Sequence, residues 1–428
     1  MQRLLLLLGL GPGALAVKLH ERDATASASL GGDIDNCTYA DLYPRQYIAY
    51  KTTRLSPEVL DGNLEKPVWA EVDWTQDFVD ISTGIGPMWR TRAKIRWDDK
   101  YLYVAAQLDD PKAWATLKED DTVIYYDNDF EVFVDPNGST HFYKEYEMNA
   151  FNARWSLCLN KPYSDGGGEN STRVDKQRGW SMLPRSRSAV RVVPEGTLND
   201  PHKESRYWTV EVALPLADLM YNNSAEAPHH GSFWRLGFSR VQWALVTDAK
   251  GDSYRKQPSC QSCPHPGAPN EDNWVWSSQG EINMHLPERW GIVQFSEGAP
   301  GTTPLASYDR WPSQAAAMAV YYAQKAYAQA HNGSFASNPQ DLLPFTQRPF
   351  QLCNTANVSI EVKAPKSSGT HPTYTAAVQT PESGPWIATV TDDRYLTVAV
   401  AGKHTSGACS SFVSLIWLVL LGHAFFQM

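Results

Sequence analysis

The chain has 428 residues, of which 42% are hydrophobic and 20% charged. So much apolar surface can build a core, which excludes wholesale disorder. The net charge of −9 argues against a nucleic-acid partner, because phosphate contacts need clustered Lys and Arg.

The N-terminus opens with Arg3 and an apolar run, Leu4–Leu10, followed by the small-x-small site Ala14-Leu15-Ala16. Residues 1–16 therefore read as a secretory signal peptide. Gly11-Pro12-Gly13 makes the apolar run too short for a membrane span. Residues 17–46 read as an N-terminal extension. Asn36, Asn137, Asn170, Asn222, Asn332 and Asn357 each open an Asn-x-Ser/Thr triplet, as in a glycosylated ectodomain. The six cysteines include Cys260-x-x-Cys263 in a proline-rich loop, where a disulfide fits an oxidising compartment better than a redox or zinc site.

From residue 47 to residue 296 the pattern is one of short alternating strands. Trp208, Val210, Val212 and Leu214 share one face, as do Phe130, Val132 and Val134. Tyr101–Leu108, Trp234–Val241 and Trp290–Phe295 read similarly. Period-two runs broken by Pro, Gly and Asn predict a mainly β fold, an antiparallel β-sandwich. The 16 Trp, 20 Tyr and 14 Phe suit such a fold, both for packing and for stacking on sugars.

Residues 297–310 read as a linker. Residues 311–401 predict a small C-terminal α+β domain, with a helix over Gln314–His331 and four strands after it. Residues 402–428 form a hydrophobic GPI-type signal: Ser406-Gly407-Ala408 precede the apolar run from Phe412 to Phe426. Only that C-terminal anchor would meet a membrane. The expected location is secreted, or on the extracellular face of the plasma membrane.

The densest chemistry lies between Trp114 and Ala153. A hairpin centred near Ser139 would set Glu131 opposite Glu147, both on the face away from Val132. Glu131, Glu147 and Asn149 would then hold hydroxyls, with Tyr125 and Tyr126 as aromatic walls. A plain solvated face carrying Glu131, Glu145 and Glu147 is the competing reading. Glu131 and Glu147 are also the residues a glycosidase would use as acid and base. Asp127, Asp129 and Asp135 offer hard oxygen ligands for calcium, in a spacing unlike an EF-hand loop. Further on, Trp274 and Trp276 share a strand face among polar neighbours, which suggests one exposed ring edge for a ligand.

Leu60–Trp69, Trp97–Val104, Asn128–Asp135, Glu147-Met148-Asn149 and Pro287–Gly291 follow one another in an order that resembles the family 9 carbohydrate-binding modules. The resemblance covers about residues 47–296. It is closest to a stand-alone subgroup with a stretch like Trp276–His285 and a helix like Tyr321–Gln324. It implies a sandwich that binds sugar ends or small saccharides between two rings, with structural calcium. The first ring falls at Tyr125 and the polar Glu at Glu131. A basic position of the family falls at Glu147, with its charge reversed. The second ring falls near Met284, or at Trp274 or Trp276 if the loop is arranged differently. The expected function is extracellular carbohydrate binding, with support of polysaccharide breakdown as its expected role. The alternatives are a glycoside hydrolase using Glu131 and Glu147, and an adhesive surface protein without sugar binding.

Overall fold

The computed structural model describes residues 39, 42–259, 270–346, 350–353, 356–365 and 371–402. The predicted signal peptide, the Cys260–Cys263 loop and the C-terminal apolar run lie outside these residues.

The chain begins its sheet with β1 (Gln46–Lys51), β2 (Val79–Asp80), β3 (Thr91–Trp97) and β4 (Tyr101–Asp109). Next come β5 (Asp129–Asp135), β6 (Tyr143–Asn149), β7 (Arg154–Leu159), β8 (Glu169–Asn170), β9 (Arg187–Val193) and β10 (Tyr207–Pro215). The set continues with β11 (Phe233–Trp243), a small hairpin of β12 (Leu245–Thr247) and β13 (Tyr254–Lys256), then β14 (Glu271–Val275) and β15 (Gly291–Ser296).

Apart from the small hairpin, these strands form one 13-stranded sheet in the order β8-β7-β6-β5-β11-β15-β1-β3-β4-β10-β9, with β14 branching from β11 and β2 pairing with β14. The sheet folds back on itself as a sandwich. Val132 and Phe238 from one half share a core with Val104 and Val210 from the other. Each such side chain contributes about 1.5–3 kcal/mol when fully buried. The alternation read from the sequence matches this core: Phe130, Val132 and Val134 face it, as do Trp208, Val210, Val212 and Leu214. The ladders are antiparallel except at β1, which pairs in parallel with both β15 and β3 and so joins the two halves.

The long helix runs over Trp311–Ala330, three residues earlier than its periodicity suggests, because Pro312 fits the first turn, where its missing N–H costs nothing. It packs on a four-stranded sheet of β16 (Asn357–Lys363), β17 (Thr373–Gln379), β18 (Trp386–Thr391) and β19 (Leu396–Val400). Their shared core also takes in Tyr39 and Ile292 from the sandwich side. The stretch read as a linker is packed too: Tyr308 is buried in that core, and Ala306 O accepts a hydrogen bond from Gln46.

The small unit is clasped to the sandwich through Arg394, in the turn between β18 and β19. Its guanidinium binds Asp165 at 2.8 Å and also pairs with Glu288, both almost fully buried. Tyr322 adds a hydroxyl to the same knot, bonded to Glu288 at 2.6 Å. Lys325 and Tyr321 from the helix complete the hold on Asp165. Cys353 is disulfide-bonded, whereas Cys158 is a buried free thiol. Of the glycosylation triplets, Asn170, Asn222, Asn332 and Asn357 are exposed. Among the described residues, no helix is long and apolar enough to cross a membrane.

Candidate functional site

Strands β5 and β6 pair with Glu131 directly opposite Glu147, the register expected from the hairpin. Side chains two apart share a face, so Asp129 and Glu131 on β5 stand beside Glu145 and Glu147 on β6. All four point away from the core that holds Phe130, Val132, Tyr146 and Met148.

This face is not solvated. Asp129 is 0% exposed, Glu131 3%, Glu145 5% and Glu147 1%. A layer of loops covers them. The 3-10 turn Ile124–Tyr126 lies over β6, where the Tyr125 N–H donates to Glu147 Oε2 at 3.2 Å. Ile124, Phe133, Tyr143, Trp155, Leu157 and Trp290 form a second apolar cluster beneath those loops. On the neighbouring strands, Trp155 stands opposite Glu147 and Ser239 opposite Glu131.

The floor is therefore acidic, dry and short of countercharge. Burial raises the Glu131 carboxyl to about 7. Asp129, Glu145 and Glu147 are pushed well above the ordinary range, first by burial and then by Glu131 beside them. Arg240 is within electrostatic reach of Asp129 but spends its hydrogen bonds on Gln242 and Thr91. Two other cations of this region are engaged elsewhere. Arg173 pairs with Glu169, and Lys256 sits over the ring of Trp243 at 3.3 Å. His285 Nδ1 stands 4.0 Å from Glu145 Oε2 and bonds Tyr143 Oη at 2.9 Å.

Tyr125 and Tyr163 stand exposed at this floor, with Tyr126, 40% exposed, beside Tyr125. Tyr125 is 38% exposed and touches Tyr126 edge-on at 5.0 Å. Tyr163, in the turn Tyr163–Asp165, is 43% exposed and meets the His285 ring at 4.9 Å. Burial, and then Glu145 and Glu169, push the Tyr163 hydroxyl up. Tyr125 feels Glu147 in the same way, after burial and Tyr126. Arg173 lies within electrostatic reach of both tyrosines.

Several expected site residues sit elsewhere. Trp274 and Trp276 are 3% and 0% exposed and belong to the sandwich core, so the anticipated free ring edge is absent. A Cβ on Gly291 would come within 2.2 Å of the Trp276 ring, which shows how closely that ring is packed. Asn149 has no atom to spare. Its amide donates to Leu117 O and Asp127 Oδ2, and its oxygen accepts from Phe151 and Ala153. The expected calcium trio is also dispersed. Asp127 ties the backbone of Thr116 and Leu117, and Asp135 caps the turn at Gly138 and Thr140. Only Asp129 joins the floor, where its carboxylate converges with Glu131 and Glu147.

Glu145, Tyr163 and His285 are the site residues not singled out from the sequence. Glu145 carried a signal, since it is two residues from Glu147 on the same strand. Tyr163 carried none.

Residues 60–234 match the family model described as carbohydrate family 9 binding domain-like. This region is similar to a family 9 binding-like domain. It contains Tyr125, the four floor carboxylates and Tyr163, while His285 lies beyond it. A curated relative is exoglucanase XynX of Acetivibrio thermocellus, 28% identical over 141 residues. That match covers 32% of this chain and spans 12% of the relative's length. Among solved structures, the family 9 module of Caldicellulosiruptor kristjanssonii, in complex with cellotriose, is 14% identical. The match covers 61% of this chain and 100% of that one, with a TM-score of 0.36. A putative carbohydrate-binding protein from Bacteroides uniformis is 14% identical, covering 59% and 99%, with a TM-score of 0.39.

Proposed function

We propose that this protein binds carbohydrate in the cleft between Tyr125 and Tyr163, above Glu131 and Glu145. One observation carries the reading: two exposed rings flank an acidic floor inside the family 9-like region. Aromatic faces cover the apolar C–H surfaces of a pyranose, and the negative potential of the carboxylates beneath favours its hydroxyl O–H groups. Trp274 and Trp276 have no part in it. The N-terminal leucine run, the C-terminal apolar run and the exposed Asn-x-Ser/Thr triplets support a secreted or surface-anchored, glycosylated protein. A role in support of polysaccharide breakdown is part of the same proposal and rests on the family 9-like match alone.

A glycan array probed with the full chain tests this, with cellotriose and glucose among its ligands. Binding to at least one saccharide is expected. Tyr125→Ala and Tyr163→Ala should each weaken it tenfold or more, equivalent to about 1.4 kcal/mol, as for other aromatic anchors. Both rings are exposed, so melting temperature should hardly move. Turnover of an aryl glycoside that vanishes in Glu131→Gln would overturn binding in favour of hydrolysis.

A further inference from the structure

The four floor carboxylates have a problem that the sugar reading does not solve. Isolated buried charges are expensive, and a group of four repel one another. Protein interiors meet that cost with paired cations or with bound metal. Among the described residues, no ion pair reaches Asp129, Glu131 or Glu147, and Glu145 has only His285 at 4.0 Å. Nor are their lone pairs used up. Asp129 Oδ2, Glu131 Oε2 and Glu145 Oε2 are buried without any hydrogen-bond partner. Other buried carboxylates of this chain are treated differently. Asp127 accepts three N–H groups and a hydroxyl, Glu211 meets Lys66 and the Trp69 indole, and Asp165 meets Arg394.

The geometry of the unsatisfied group is specific. One oxygen from each of Asp129, Glu131 and Glu147 lies within 4.8 Å of the others. Such a span is what two Ca–O bonds of about 2.3–2.6 Å allow across one ion. All the donors are hard oxygens, with neither thiolate nor imidazole in the group, which selects calcium over zinc or copper. Glu145, whose Oε2 also lacks a hydrogen bond, adjoins Glu147 on the same strand face, outside the converging trio.

We infer that Asp129, Glu131 and Glu147 hold a calcium ion in the floor of the cleft, with Glu145 beside it. The assignment replaces the calcium trio expected from the sequence and keeps only Asp129 from it. It also accounts for the acidic Glu147 at a position where the family resemblance implies a base. A divalent cation supplied by a ligand does there what a side-chain cation would do.

Terbium provides a direct probe, because Trp155 and Tyr125 adjoin Glu147 and can sensitise its luminescence. The full chain, stripped with chelator and desalted, should bind terbium at one site per chain and release it to calcium. Calcium should also raise the melting temperature of the stripped protein, as any ligand of the folded state does. Glu131→Gln and Glu147→Gln should each weaken calcium binding at least a hundredfold. Both remove repulsion, so in chelator they should melt at or above wild type and no longer respond to calcium. The exposed Glu119→Gln should respond like wild type. Absence of terbium and calcium binding in folded wild type would overturn the site, as would full calcium response in Glu131→Gln. These readouts involve no sugar, so the metal site and the carbohydrate reading fail separately. If the folded, stripped chain ignores calcium and binds a cationic amino sugar instead, the floor is a ligand site and not a metal site.

Discussion

Arg394→Met is expected to destabilise the protein by about 3–5 kcal/mol, because it strands Asp165 and Glu288 as buried, unpaired carboxylates. The Arg394 side chain is fully buried, and each acid is 2% exposed. The triple variant with Asp165→Asn and Glu288→Gln should recover part of the loss, since it removes the charges left behind. Denaturant melts of the two variants check this. The clasp also bears on the site. Asp165 belongs to the turn that carries Tyr163, and Glu288 lies three residues after His285. The C-terminal unit is therefore a buttress for the turn that carries Tyr163, one wall of the proposed cleft, and Arg394→Met should weaken saccharide binding along with stability. Acid should act in the same direction. Burial raises the Asp165 carboxyl, but Arg394, Lys325 and Tyr321 outweigh it and hold the group below its ordinary 3.8. Its contribution is thus complete above that value and lost as the pH falls through the lower folded one.

Trp276→Ala is the second large effect, with an expected cost of about 3–5 kcal/mol for a cavity of indole size. Trp276 packs on Phe238 at 5.6 Å between ring centres and against the backbone at Gly291. Its indole N–H reaches Gln76 at 3.4 Å. A ligand-contacting tryptophan would behave otherwise, losing affinity with little loss of stability. Thermal melts and saccharide titrations of Trp276→Ala, under conditions where it is folded, separate the two. Stability should fall and affinity should stay within a few-fold of wild type.

The contrast between Trp276 and Tyr163 shows what a sequence makes legible. Alternation correctly put Trp274 and Trp276 on one face, and Phe130, Val132 and Val134 on another. Period two does not say which face is wet, because the polar residues beside Trp276 mark the loop and not the ring. The register of Glu131 against Glu147 was legible for a stronger reason. Two alternating runs flank Asn137-Gly138, where Gly138 takes the positive φ of 67° that such a turn needs. Burial of those glutamates was not legible, since the covering loops come from Ile124–Tyr126, Tyr163–Asp165 and the stretch around His285. These segments have no periodicity, and they meet only when the sandwich closes. Tyr163 reaches the floor by that route alone. The docking of the C-terminal unit was hidden likewise, because one arginine in a two-strand turn carries no pattern.

Hydrogen–deuterium exchange of the full chain with and without a saturating saccharide ligand locates binding most directly. Protection is expected at 123–127, 161–165 and 283–285, the three segments around the acidic floor. Protection confined to 274–278, or no change in the first two segments, would contradict a cleft between Tyr125 and Tyr163.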